Sequence, residues 1–142
     1  MASTAKQIMI WLAVYAAWLV STRPFHPTLL IAVSATAVLI LASALGVFAN
    51  RRLLRSRLSQ RRSWATYCLQ LIACIVALDL IAVISIQTIY DKLWGPDPNR
   101  FSFWFNMASD AFIIMLHIAV AQGISWIAER LRIRRLASKT SG

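Results

Sequence analysis

Four long apolar runs, at residues 8–20, 28–49, 63–90 and 101–128, constrain this chain more than any other feature. About 20 apolar residues cover the hydrocarbon core of a bilayer as a helix. A chain inside lipid must satisfy its backbone polar groups internally, so such runs are helices. The second run has 22 residues and no charge; the third is broken only by Asp79, and the fourth contains Asp110 and His117. The first run is short, and its flanking Ala, Ser, Thr and Gln residues extend it while Lys6 snorkels to the surface. A cleaved signal peptide is its rival reading, but no small-x-small site follows the run before Arg23. The expected architecture is all-α: one polytopic membrane domain over 1–142, with four transmembrane helices in two antiparallel hairpins. The spans are expected at about 4–22, 28–49, 63–90 and 101–128, with a basic loop at 50–62 and a basic tail at 129–142.

Charge sets the orientation. Charged residues make up 14% of the chain, against about 25% in soluble domains, and they cluster between the apolar runs. On one side fall Lys6, Arg51, Arg52, Arg55, Arg57, Arg61, Arg62, Arg130, Arg132, Arg134, Arg135 and Lys139, and on the other Arg23, Lys92 and Arg100. Basic residues accumulate on the cytoplasmic side because they resist translocation. Twelve against three requires an even number of spans and places both termini in the cytoplasm, in a plasma or inner membrane. The net charge of +10 therefore has a topogenic source. Nucleic-acid binding does not fit, because the Arg-rich link is short, tied to the bilayer at both ends and without a recognition motif.

The connections carry turn chemistry. Arg23-Pro24-Phe25-His26-Pro27 places two prolines where one helix ends and the next opens. Asp91 to Arg100 contains Gly95, Pro96, Asp97, Pro98 and Asn99, a turn-forming cluster. Trp64, Tyr67, Tyr90, Trp94, Trp104 and Trp126 fall near run ends, where amphipathic rings settle at headgroup level. Along the second run Ala32, Thr36, Ala42 and Gly46 offer small side chains for close helix approach, or reflect plain Ala-rich composition. Cys68 and Cys74 lie six apart on one helix, face different ways and read as packing residues.

Candidate chemistry is confined to the third and fourth runs. Asn106, Asp110 and His117 fall within a stripe of roughly 40° at 100° per residue, which should face other helices. Counted from the run centres, Asp79 lies between Asp110 and His117 in depth. Ionisable groups inside a membrane default to a functional hypothesis, here a proton relay, an ion path or a ligand pocket. The alternative is a polar clamp fixing helix register, with Asp79 paired to His117 or both carboxyls protonated and neutral. His117 as an axial haem ligand is a further possibility, without a second histidine at matching depth. No cofactor or metal is assigned. No glycine-rich phosphate loop, nucleophile elbow or zinc-ligand spacing points to an enzyme.

The basic link interleaves Leu54 and Leu58 with Arg51, Arg52, Arg55, Arg57, Arg61 and Arg62, the pattern of a helix lying on an anionic inner surface. Arg130, Arg132, Arg134 and Arg135 repeat that composition as a continuation of the last helix and are further candidate contacts to anionic lipid. The stretch from Asn50 through Leu53-Leu54, Leu58 and Arg61-Arg62 to Trp64 and Tyr67 resembles the middle loop of the four-helix membrane regions preceding LytS-type sensor histidine kinases. About 20 residues carry the likeness. It implies a sensor-like membrane module without the kinase domains, and it transfers no catalytic residue.

The expected role is a non-enzymatic integral membrane protein acting through helix packing, as accessory or assembly subunit of a complex or as a standalone module. The other reading is a sensor or small proton-coupled transporter using Asp79, Asp110 and His117. Partners on either reading are the lipid bilayer and other membrane helices, of this chain or another.

Overall fold

The computed structural model describes residues 4–60, 64–96 and 101–140; the side chains of 54–60, 132 and 134–140 fall outside that description. The chain is an all-α bundle of four helices: α1 (Thr4–Thr22), α2 (Leu29–Gln60), α3 (Trp64–Leu93) and α4 (Phe103–Thr140), with a 3-10 turn at Arg23–Phe25. Each is long and apolar enough to cross a membrane, over Thr4–Phe25, Leu29–Leu53, Trp64–Leu93 and Phe103–Leu131. This is an integral membrane protein, and the thirteen-residue first run is the middle of a span rather than too little for one.

Local chemistry explains the helix ends. Pro24 stands in the first positions of the 3-10 turn, where its missing N–H costs nothing. Thr28 then caps α2, its Oγ1 accepting the Ile31 N–H at 3.3 Å, and Ser102 caps α4 in the same way through the Phe105 N–H at 3.2 Å. α3 runs three residues past Tyr90, to Leu93. It stops where Gly95 adopts φ +90° and returns its N–H to the Tyr90 carbonyl, a geometry glycine enters without strain.

One expectation is corrected. The basic link is not a separate helix lying on the surface, because its backbone continues α2 unbroken to Gln60. A run of Leu, Arg, Ser and Gln without Gly or Pro has no reason to stop a helix already nucleated by the span before it. Arg51 and Arg52 are exposed at its start. The side chains of Leu54, Arg55, Arg57 and Leu58 lie outside the described residues, as do Arg61 and Arg62 altogether. On α4, Arg130 is exposed and stands 5.0 Å over the Trp126 ring, whereas the side chains of Arg132, Arg134, Arg135 and Lys139 are outside the description.

α2 is the central helix. Its residues Ile31, Ala32, Ala35, Ala42 and Val47 are buried, and α3 and α4 pack on it most closely. Lipid is as apolar as leucine, so close contact rather than exclusion of water holds such a bundle. Ala32, Thr36, Ala42 and Gly46 are all buried, which settles the small-residue pattern as a packing device. At Gly46 an added Cβ would stand 3.2 Å from Ile118 Cδ1 and 3.3 Å from Ile114 Cγ2, so α2 and α4 meet there too closely for a side chain. α1, by contrast, buries none of its residues and packs chiefly on α2. Hydroxyls that face outward, among them Ser21, Ser85, Thr88 and Ser125, donate to the carbonyl four residues back and so carry no unmet donor into lipid.

Two hydrogen bonds fix the register. Tyr67 donates to Asn50 Oδ1, and Asn50 Nδ2 donates to Gln122 Oε1 at 2.8 Å. The order of the elements makes α2 and α4 run the same way and α3 the opposite way, and Asn50 is the point where the three helices are tied at this end. The bundle has a basic end, with Arg51, Arg52 and Arg130, and a turn end, where α1 joins α2 and α3 leads toward α4. The free cysteines Cys68 and Cys74 remain unpaired.

Candidate functional site

A cavity of about 410 Å³ opens at the turn end, walled by all four helices. α1 contributes Trp18 and Thr22, α2 contributes Thr36, α3 contributes Gln87 and Tyr90, and α4 contributes Asn106 and Asp110. The turn after α1 places Phe25 and His26 at the same opening. This volume lies within the ~300–1,000 Å³ common for small-molecule sites.

The wall's polar groups divide into paired and unpaired. Thr22 Oγ1 donates back to the Trp18 carbonyl at 2.8 Å and meets Thr36 Oγ1 at 3.2 Å. His26 Nδ1 and the Tyr90 hydroxyl share a short hydrogen bond that joins the first turn to the end of α3. Arg23 donates to the His26 carbonyl at 3.0 Å. Burial, and then the positive charge of Arg23, hold the His26 pKa below its ordinary 6.5. His26 is therefore neutral at neutral pH. Asn106 makes only a long bond, 3.5 Å, to the Phe101 carbonyl. Gln87, Ser109 and Asp110 make no side-chain hydrogen bond among the described residues, and Asp110 has no cationic partner there.

The four residues of the sequence stripe do not form one cluster. Asn106 and Asp110 line the cavity together, one helical turn apart. Asp79 lies on α3 one turn deeper than Val83, a cavity-lining residue, and is 1% exposed. Asp79 is near enough to Asp110 for the two carboxyls to act on each other electrostatically. Oδ1 of Asp79 has no hydrogen-bond partner among the described residues, a condition it shares with the buried Ser43 Oγ.

His117 is two turns nearer the basic end and belongs elsewhere. Its Nε2 accepts the indole N–H of Trp18 at 3.1 Å, and its Nδ1 lies 2.8 Å from the Ile113 carbonyl. An indole only donates and a carbonyl only accepts, so the proton is on Nδ1 and the ring is neutral. Trp11 and Trp18 flank the ring, with centroids 6.0 and 5.8 Å away. The expected Asp79–His117 pair is therefore not formed. Both imidazole nitrogens are engaged, which leaves no lone pair for a haem iron. No group of three or more His, Cys, Asp or Glu side chains among the described residues is placed to hold a metal ion.

Sequence reasoning missed two groups. The bonded trio Asn50, Tyr67 and Gln122 closes the basic end, and its polar residues near the ends of apolar runs were the available signal. The wall of the cavity was missed because it combines four elements, and Thr22, Thr36 and Gln87 are unremarkable on each helix alone. No family model, no curated protein and no solved structure matches this chain.

Proposed function

We propose that this protein is a non-enzymatic membrane module that takes a small solute into the turn-end cavity, as a sensor or a small transporter does. One observation carries the reading: Asp110 stands in the wall of a solute-sized cavity with no side-chain partner among the described residues. A clamp residue in lipid is expected to be bonded, as Asn50 and His117 are. Asp110 is not. The charge asymmetry supports a cavity mouth on the outer face and both termini in the cytoplasm, with Arg51, Arg52 and Arg130 on the side that meets anionic lipid.

The test is access. With Cys68→Ser and Cys74→Ala removing the native thiols, Ser109→Cys should react with a membrane-impermeant maleimide added outside intact cells. A panel of small solutes should include some that protect it. If the folded variant reacts only from the cytoplasmic side, or not at all, the reading fails. A second reading, a subunit that packs against a partner, draws on α1, which buries none of its residues. Stoichiometric co-purification with another membrane protein from mild detergent would favour it.

A further inference from the structure

The chemistry of the cavity wall narrows what it takes. We propose that the ligand is a small organic cation carrying an apolar or aromatic group, held between the Asp110 carboxylate and the rings around it; this rests on the solute-binding reading above. Among the described residues Asp110 is the only acidic side chain in the wall, and no Lys or Arg joins it. His26, the one other titratable group of the wall besides Tyr90, is held neutral and adds no opposing charge. A second carboxyl, that of Asp79, is buried close to Asp110 with an oxygen lacking a partner among the described residues, so the floor offers acceptor oxygen and no positive charge. An anion would meet no cationic donor among the described residues of the lining.

The aromatic content selects among cations. Trp18, Phe25, Tyr90, Phe101 and Phe105 all face the space. Ring faces attract cations and gain most from those that are weakly hydrated, of which quaternary ammonium groups are the main example. A hard metal ion needs six or more oxygen ligands at short range. One carboxylate amid rings and aliphatic side chains does not supply them. A substituted ammonium surrenders little hydration, fills space with carbon and needs only one counter-charge. Gln87 and Ser109, without side-chain partners among the described residues, remain for a hydroxyl or carbonyl elsewhere on the guest.

The experiment uses the full chain in neutral-lipid nanodiscs and compares three probes of similar size: phenyltrimethylammonium, neutral N,N-dimethylaniline and anionic benzenesulfonate. Phenyltrimethylammonium should bind saturably at one site and protect Ser109→Cys from the maleimide, and the other two should not. Asp110→Asn should weaken its binding by roughly tenfold or more, the scale of one desolvated charge contact, and Asp110→Glu should restore much of it. Thermal unfolding of both variants should match the parent, which separates lost affinity from lost folding. Equal binding of the neutral or anionic probe, or full binding by a folded Asp110→Asn, would overturn the cation assignment and leave the cavity as a solute site. An unreactive Ser109→Cys in the folded protein would overturn both.

Discussion

The two ends of the bundle treat polar side chains in opposite ways. At the basic end Tyr67, Asn50 and Gln122 form a continuous hydrogen-bonded chain across three helices, and the space beside it is only about 40 Å³. At the turn end ten times that space stays open, and Asp110, Gln87 and Ser109 have no side-chain partner in its wall among the described residues. Both ends lie near the membrane surface and both recruit helices α2, α3 and α4. What differs is completion. A group whose work is to hold helices together is already bonded to what it holds, whereas a group meant for a guest is left with capacity to spare.

The contrast is broken most forcefully where packing is tightest. Gly46→Leu pushes a side chain into Ile114 and Ile118, which stand 3.3 and 3.2 Å from the first added carbon. It should cost about 1–3 kcal/mol or prevent assembly, measured by reversible unfolding in mixed micelles. A mutant as stable as the parent would mean that α2 and α4 do not approach as described. Next comes the bonded trio. Asn50→Ala removes the acceptor of Tyr67 and the donor to Gln122 together, and should cost about 1–2 kcal/mol, since single interhelical bonds in lipid average roughly 0.6 kcal/mol. Tyr67→Phe, which deletes one of the two bonds, should cost about half as much.

Asp79 separates the clamp from the site. A clamp residue loses stability when it is replaced. A buried carboxyl with an unpartnered oxygen does not, and apolar substitution of such groups is often neutral or stabilising. Asp79→Leu should therefore unfold no more easily than the parent while reducing binding of phenyltrimethylammonium. A clear loss of stability would return Asp79 to the role of a structural clamp. Asp110→Asn should change stability by less than about 0.5 kcal/mol, as for a residue with no native bond to lose.

How much of this is written in the sequence depends on whether a feature is local. The spans, the proline turn and the cap at Thr28 are properties of short segments, and hydropathy and turn chemistry reveal them. The stripe of Asn106 and Asp110 is equally local, being one face of one helix. The partner of His117 is not. Trp18 lies 99 residues away on a helix whose position only the assembled bundle defines. Loss of periodicity also hid the extent of α2, because a basic amphiphilic stretch reads as a loop after an apolar run although its backbone has every reason to remain helical.

The smallest expected effect concerns the strap across the cavity mouth. His26 is bonded to Tyr90, and burial together with Arg23 keeps its pKa below 6.5 in the folded protein. Above pH 6.5 His26 is neutral folded or unfolded, and stability is unaffected. As pH falls below 6.5 the unfolded chain takes up a proton that the folded one resists, so the folded state weakens with acid until its own pKa is passed. The wild type should thus lose stability between pH 7 and pH 5 more steeply than His26→Gln, and the difference between the two isolates His26 from other titrating groups. Hydrogen exchange should place the loosening at the start of α2 and the last turn of α3, with the Asn50, Tyr67 and Gln122 end unchanged. Equal acid slopes in both proteins would mean that folding does not lower the His26 pKa, so that below pH 6.5 the mouth of the cavity would carry a positive charge which a cationic guest must pass.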